Sequence, residues 1–166
     1  IVLNAGSSAS VGGSGSTSSG NIIISGSPVL TTGTGGTAKL FTGSISDSTG
    51  LTSFIGSASG KFRYNSDETT TNYTTALSSG NYTIYRQQPT LTITANNPAA
   101  ITYGSSLPSF ATTVSGYQNG DTLSQSISTS ASVAIGGSTS TSVNYIAGSH
   151  TLTPSGAAGG LGYGLS

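Results

Sequence analysis

Two strand-like runs, Tyr82-Thr83-Ile84-Tyr85 and Leu91-Thr92-Ile93-Thr94, meet end to end across Arg86-Gln87-Gln88-Pro89. Pro89 removes a backbone donor and stiffens the crossing, so Arg86, Gln87, Gln88 and Pro89 form a joint between two different β modules. Before the joint, short apolar runs sit at wide spacing in Gly, Ser and Thr; after it, apolar and polar residues alternate more regularly between Pro and Gly-Asp turns. The division is therefore 1–86, a Gly/Ser/Thr-rich β-solenoid-like module, and 87–166, a small mainly antiparallel β domain. The joint is expected to set their relative orientation.

The size of the core follows from composition. Hydrophobic residues make up 33% of 166 and charged residues only 5%. A chain this poor in apolar side chains orders itself by placing its backbone polar groups in long ladders, and that favours an all-β fold. The four Lys/Arg and four Asp/Glu are scattered, leaving no basic stripe for phosphates; nucleic acid is not an expected partner. No apolar run approaches the roughly 18 to 20 residues of a membrane span, so membrane insertion is not expected either. A start at Ile1 without Met or leader reads as a mature product or a slice of a longer chain.

In the first half the apolar runs Ile1-Val2-Leu3, Ile22-Ile23-Ile24, Leu40-Phe41 and Phe54-Ile55 recur at roughly 15 to 20 residues, the length of a solenoid coil. Val2 to Ser7 and Ile23 to Ser27 look like one position on successive coils, with Gly at the corners. Ser8 to Gly20 reads either as a solenoid loop or as a flexible Gly/Ser linker. Gly33-Thr34-Gly35-Gly36-Thr37 lacks the Lys-Ser/Thr that a phosphate-cradling loop needs.

Lys61 and Arg63 alternate with Phe62 and Tyr64, which predicts a strand with its cations on a solvated face. Asp67 and Glu68 supply too few oxygens for a calcium cage. Asn72-Tyr73-Thr74 and Asn81-Tyr82-Thr83 fit the N-glycosylation acceptor pattern.

In the second half, strands are expected at Leu91–Thr94, Ile101–Gly104, Phe110–Ser115, around Ile127, Val133 and Ile135, at Val143 and Tyr145, and at Thr151–Thr153. Asp121 is placed to cap a short helical turn. His150 is the single histidine and there is no cysteine, which removes His/Cys metal sites and Cys-His catalysis. A Ser-His-Asp set with Asp121 lacks a nucleophile elbow, and Asp67 and Glu68, adjacent on a strand, would point to opposite faces. No enzyme and no cofactor is expected.

The second half resembles the MBG (mostly-β, glycine-rich) domains repeated in large bacterial adhesins. The resemblance is carried by Thr90 to Asn96, Ile101-Thr102-Tyr103-Gly104, Val114 to Thr122, and Gly148 to Ala158. The first half, at Asn21 to Pro28 and Phe62 to Glu68, is similar to the last solenoid coils before such domains in filamentous-haemagglutinin-like exoproteins. The resemblance implies a secreted or cell-surface bacterial protein without catalytic residues, used for adhesion, biofilm matrix or fibre building. The family's domain continues past the equivalent of Gly162-Tyr163-Gly164-Leu165 into a final strand, so an open edge is expected there.

Ile1-Val2-Leu3-Asn4 is read as the matching unpartnered strand, which predicts head-to-tail self-association by strand addition. The partners expected are copies of the chain itself or neighbouring domains of a longer chain. The alternative is a module that binds glycans or surfaces through exposed Tyr64, Tyr73 and Tyr82.

Overall fold

A computed structural model describes residues 1–6, 9–12 and 20–166. The fold is all-β in small sheets, with two single-turn helices, Leu51–Ile55 (α1) and Leu123–Ser126 (α2). The first sheet contains Val2–Asn4 (β1), Thr37–Thr42 (β2), Phe62–Arg63 (β3) and Gly80–Tyr85 (β4), in the order β1-β2-β4-β3. Every pairing in it is parallel, with Val2 opposite Lys39, Leu40 opposite Thr83 and Phe62 opposite Thr83. Parallel neighbours need long crossovers; among the described residues these run through Gly/Ser-rich loops, with the single turn α1 in the stretch between β2 and β3. Thr42 anchors one crossover: its hydroxyl meets Ser48 Oγ at 2.7 Å and accepts the Ile22 N–H at 2.9 Å.

Of the apolar runs in this half, Ile1-Val2-Leu3 and Leu40-Phe41 are strands. Ile22-Ile23-Ile24 is not: Ile22 and Ile24 pack against the core, Ile23 faces solvent, and the Ile24 N–H bonds the Thr49 carbonyl. The segment that pairs in register with Val2–Asn4 is Lys39–Phe41, so Ile23–Ser27 does not occupy the equivalent position. Phe54 and Ile55 end α1, where Gly50 and Gly56, both at positive φ, flank the turn. The reading of Ser8 to Gly20 falls largely outside the described residues.

The second half contains Thr90–Ala95 (β5), Thr112–Ser115 (β6), Ile127–Thr129 (β7), Ser132–Ile135 (β8), Leu152–Ser155 (β9), Ala158–Gly159 (β10) and Gly164–Leu165 (β11). β5–β6, β8–β9 and β7–β10 are antiparallel, and β11 joins β5 in parallel. β5 lies against β9, so Ile93, Ala95, Val133, Ile135, Leu152 and Pro154 are the more buried alternate positions of these strands. Ile101–Gly104 and Val143–Tyr145, expected as strands, lie outside the named strands; Tyr145 makes only an isolated bridge to Thr139. The residue that caps α2 is Thr122 rather than Asp121, and its N–H reaches Gln125 Oε1 at 2.9 Å.

One cluster of buried side chains spans both halves. Ala38, Leu40, Leu51, Phe62, Tyr64 and Tyr85 come from the first, and Leu91, Leu161 and Tyr163 from the second.

Candidate functional site

The centre of that shared core is polar. Tyr64 follows β3 and is fully buried; its ring stacks on Tyr85 at 5.6 Å and tilts against Tyr163 at 4.5 Å. The Tyr64 and Tyr163 hydroxyls both donate to Asp121 Oδ2, at 2.7 and 2.9 Å. Asn119 Nδ2 donates to the Tyr64 hydroxyl at 3.1 Å and its Oδ1 accepts from Thr52 Oγ1 at 2.6 Å. The turn 118–121 is thereby tied to α1 and to β3.

Burial pushes the Asp121 carboxyl above the ordinary carboxylate range, against the opposing pull of the two phenol donors and Arg63. Burial likewise raises Tyr64 and Tyr163, and pushes Tyr85 up to about 12. These phenols stay protonated as donors, so the cluster acts as a lock between loops.

Two buried guanidinium groups hold the crossovers. Arg63 donates to the carbonyls of Thr75, Gly60, Phe62 and Ala76 at 2.8–3.2 Å, between the rings of Tyr73 and Tyr82. The fork geometry and cation–π capacity of Arg suit a site whose acceptors are uncharged carbonyls. The expected solvated face is therefore corrected at Arg63: crossover carbonyls converge on it and desolvate it. Arg86 gathers the start of the chain, donating to Asn4 Oδ1 at 3.3 Å, to the Gly20 carbonyl at 3.0 Å, and to the Ala5 carbonyl.

A cleft of about 780 Å³ opens between segments 97–110 and 143–152, lined by aromatic, aliphatic and uncharged polar residues together with His150. The Tyr103 hydroxyl meets Ser140 Oγ at 2.8 Å and joins one wall to the loop of the other. His150 closes that loop. Its Nδ1 lies 2.9 Å from the Gly136 carbonyl and its Nε2 2.8 Å from the Ile146 carbonyl, with the ring edge-on to Tyr145. Carbonyl oxygens only accept, so both contacts are satisfied together only by the imidazolium, and these bonds raise the imidazole above its ordinary value.

The strands from β5 to β11 return on themselves. Ser166 N–H bonds the Leu91 carbonyl at 3.0 Å and the Ile93 N–H bonds the Ser166 carbonyl at 2.8 Å, so the two ends of this segment pair. Residues 91–166 match the family model of the MBG domain (YGX type). No curated protein and no solved structure matches the chain. Within the MBG segment Asp121 is the single Asp, Glu, Lys or Arg, and it is the residue that reaches across to Tyr64.

The sequence-predicted positions fall as follows. Ile1 to Asn4 form the outer edge of the parallel sheet, with the Ile1 amine on the Thr37 carbonyl and β2 as the partner strand. Gly162 and Tyr163 enter the core, while Gly164 and Leu165 pair with Thr90 and Leu91. The joint is woven in. Gln87 Oε1 accepts the Ile45 N–H at 2.7 Å, the Gln87 carbonyl accepts the Asn65 N–H at 3.0 Å, and the Pro89 carbonyl accepts the Gly164 N–H at 2.9 Å; Gln88 is partly exposed.

Tyr64 and Tyr82, expected on an exposed platform, are buried, because their hydroxyls find partners inside the fold. Asp121 and His150 belong to separate hydrogen-bond sets. Asp67 Oδ1 is occupied by the Thr69 and Thr70 N–H groups of its own turn. The network around Asp121 was missed by sequence reasoning; its one signal was a lone carboxylate in a segment with no other Asp, Glu, Lys or Arg.

Proposed function

We propose that the chain is a non-catalytic structural module of a secreted or cell-surface fibre or adhesin stalk. In this reading the parallel sheet is the end of a β-solenoid, and copies join head to tail by strand addition at β1 and β11. The observation that carries it is the edge strand β1. It closes one side of an all-parallel sheet while Ile1, Val2 and Leu3 stay exposed. An unprotected apolar edge is a template for another strand. The MBG match supports the setting, since this mostly-β domain occurs in extracellular adhesin-like proteins.

Deleting Ile1 to Asn4 should abolish assembly of the purified protein, read by electron microscopy and sedimentation. Because Arg86 binds Asn4 and Ala5, Val2→Lys provides the second arm: it leaves the β1–β2 ladder in place and sets a charge on the outer edge. Filaments that form as readily from Val2→Lys as from wild type would overturn edge addition.

A further inference from the structure

The β8–β9 ladder runs out at Gly136, whose N–H bonds the Thr151 carbonyl at 2.8 Å. Beyond it, residues 138–146 make a small hairpin of their own. The Ile146 N–H bonds the Ser138 carbonyl at 3.2 Å, Thr139 bridges Tyr145, and the Val143 N–H closes the turn on the Ser140 carbonyl at 2.9 Å. The end of this hairpin is the cleft wall that faces segment 97–110. Glycines at positive φ flank it, Gly137 at +116° and Gly148 at +137°. Such positions absorb a change of chain direction at little cost.

The hairpin also holds strain. Val143 is 81% exposed and sits at φ +64°, in the left-handed region that a β-branched side chain resists. That conformation persists only where surrounding contacts impose it. Among the described residues, one hydrogen bond joins the two cleft walls, between the Tyr103 hydroxyl and Ser140 Oγ. At the base, the Tyr145 hydroxyl donates to the Ile135 carbonyl at 3.3 Å.

His150 spans the hinge. Its Nδ1 meets the Gly136 carbonyl on the ladder side, and its Nε2 meets the Ile146 carbonyl on the hairpin side. A Cβ at Gly137 would lie 2.3 Å from Nδ1, so the ring seats there because that position has no side chain. The other titratable groups at the site are the phenols of Tyr145, edge-on to the ring, and of Tyr103 in the facing wall; the lining holds no Asp, Glu, Lys or Arg. Two carbonyls and no ion pair therefore hold the imidazolium. A neutral ring keeps one N–H and turns a lone pair on the other carbonyl, so it fastens one side of the hinge and lets go of the other.

We propose that hairpin 138–146 is a lid on the cleft, latched shut by protonated His150 and released when that proton leaves. The lid swings about Gly137 and Gly148, the strain at Val143 favours release, and release parts Tyr103 from Ser140. The two carbonyl contacts raise the imidazole above its ordinary 6.5, so the latch is fully present below that value and is lost as pH rises through the raised one. Acid closes the cleft, and alkali opens it.

The chain has no cysteine, so spin labels at Ser106→Cys and Ser142→Cys, both exposed positions, report the distance across the cleft by double electron–electron resonance. The labelled chain should give a narrow distribution at about pH 5 and a longer, broader one at about pH 8. Adding His150→Phe, which keeps an aromatic ring beside Tyr145 and carries no N–H, should give the broad distribution at both. Adding Val143→Gly, which relieves the strain, should narrow the distribution at the higher pH. In the unlabelled wild type, hydrogen-exchange protection of residues 138–147, corrected for the intrinsic pH dependence of exchange, should fall severalfold over the same interval while that of β8 and β9 holds. A distribution that does not move with pH, a movement that survives His150→Phe, or protection that falls equally in the hairpin and in β8 and β9 overturns the latch. A Val143→Gly distribution identical to that of the parent overturns strain as the force that opens the lid.

Discussion

At the scale of residues, two ionisable groups govern how the second half responds to pH. Asp121 is held by burial above its ordinary 3.8, so the folded chain keeps a proton that the unfolded chain has already lost. Its contribution to stability is full below the unfolded value and disappears as pH rises through the folded one. Asp121→Asn keeps an oxygen acceptor for Tyr64 and Tyr163 and removes the titration. The urea midpoint of wild type relative to Asp121→Asn should therefore rise as pH falls from neutral towards 4, and a pH-independent difference would refute the assignment. Asp121→Ala, which orphans buried phenol donors, should cost about 1–3 kcal/mol at any pH.

His150 has the same sign: its value is raised above 6.5, so the loop it closes is firmest in acid and loosens as pH rises through the folded value. An NMR titration should place the imidazole midpoint above 6.5, with amides of residues 138–147 moving in the same transition. A midpoint at or below 6.5 would show that the contacts to Gly136 and Ile146 are not both donated.

At the scale of elements, apolar alternation found strands only where a partner edge existed. Leu91–Thr94 and Thr151–Thr153 alternate and pair. Ile101–Gly104 and Val143–Tyr145 have strand-like composition yet line a cleft, because a strand is completed by a ladder that its own residues cannot specify. Backbone approach is equally non-local. Gly162 has φ +97°, and a Cβ there would lie 2.1 Å from the Tyr64 carbonyl oxygen. Gly162→Ala should separate β11 from β3 and cost about 1–3 kcal/mol or more, whereas at Gly156 the nearest atom to such a Cβ is the Ser132 hydroxyl at 4.0 Å and the cost should be smaller. Thermal melts of the two variants decide it, and equal losses would remove the close approach as the cause. In the joint, Gln87→Ala leaves the Ile45 N–H without its acceptor and should cost about 1–3 kcal/mol in urea unfolding. Gln88→Ala should change little, and reversal of that order would show that the joint is only a spacer.

At the scale of the whole molecule, the shared core couples the two halves. Leu91, Leu161 and Tyr163 pack against Leu40, Tyr64 and Tyr85, so a fragment of residues 87–166 exposes that apolar surface and leaves Asp121 without the Tyr64 donor. It should show a less cooperative and lower thermal transition than the full chain; an unchanged transition would make the halves independent. The β class, the change of pattern at Arg86-Gln87-Gln88-Pro89 and the MBG character of the second half were determined by the sequence alone. Those features are written in local composition, turn residues and short-range alternation. Tertiary structure alone decided that Arg63, Tyr64 and Tyr82 go inside, that Ile23 goes outside, and that Asp121 bridges the halves. A side chain's surroundings in a thin core depend on which distant loops converge on it, and in a parallel sheet those loops are separated by whole crossovers that local pattern does not encode.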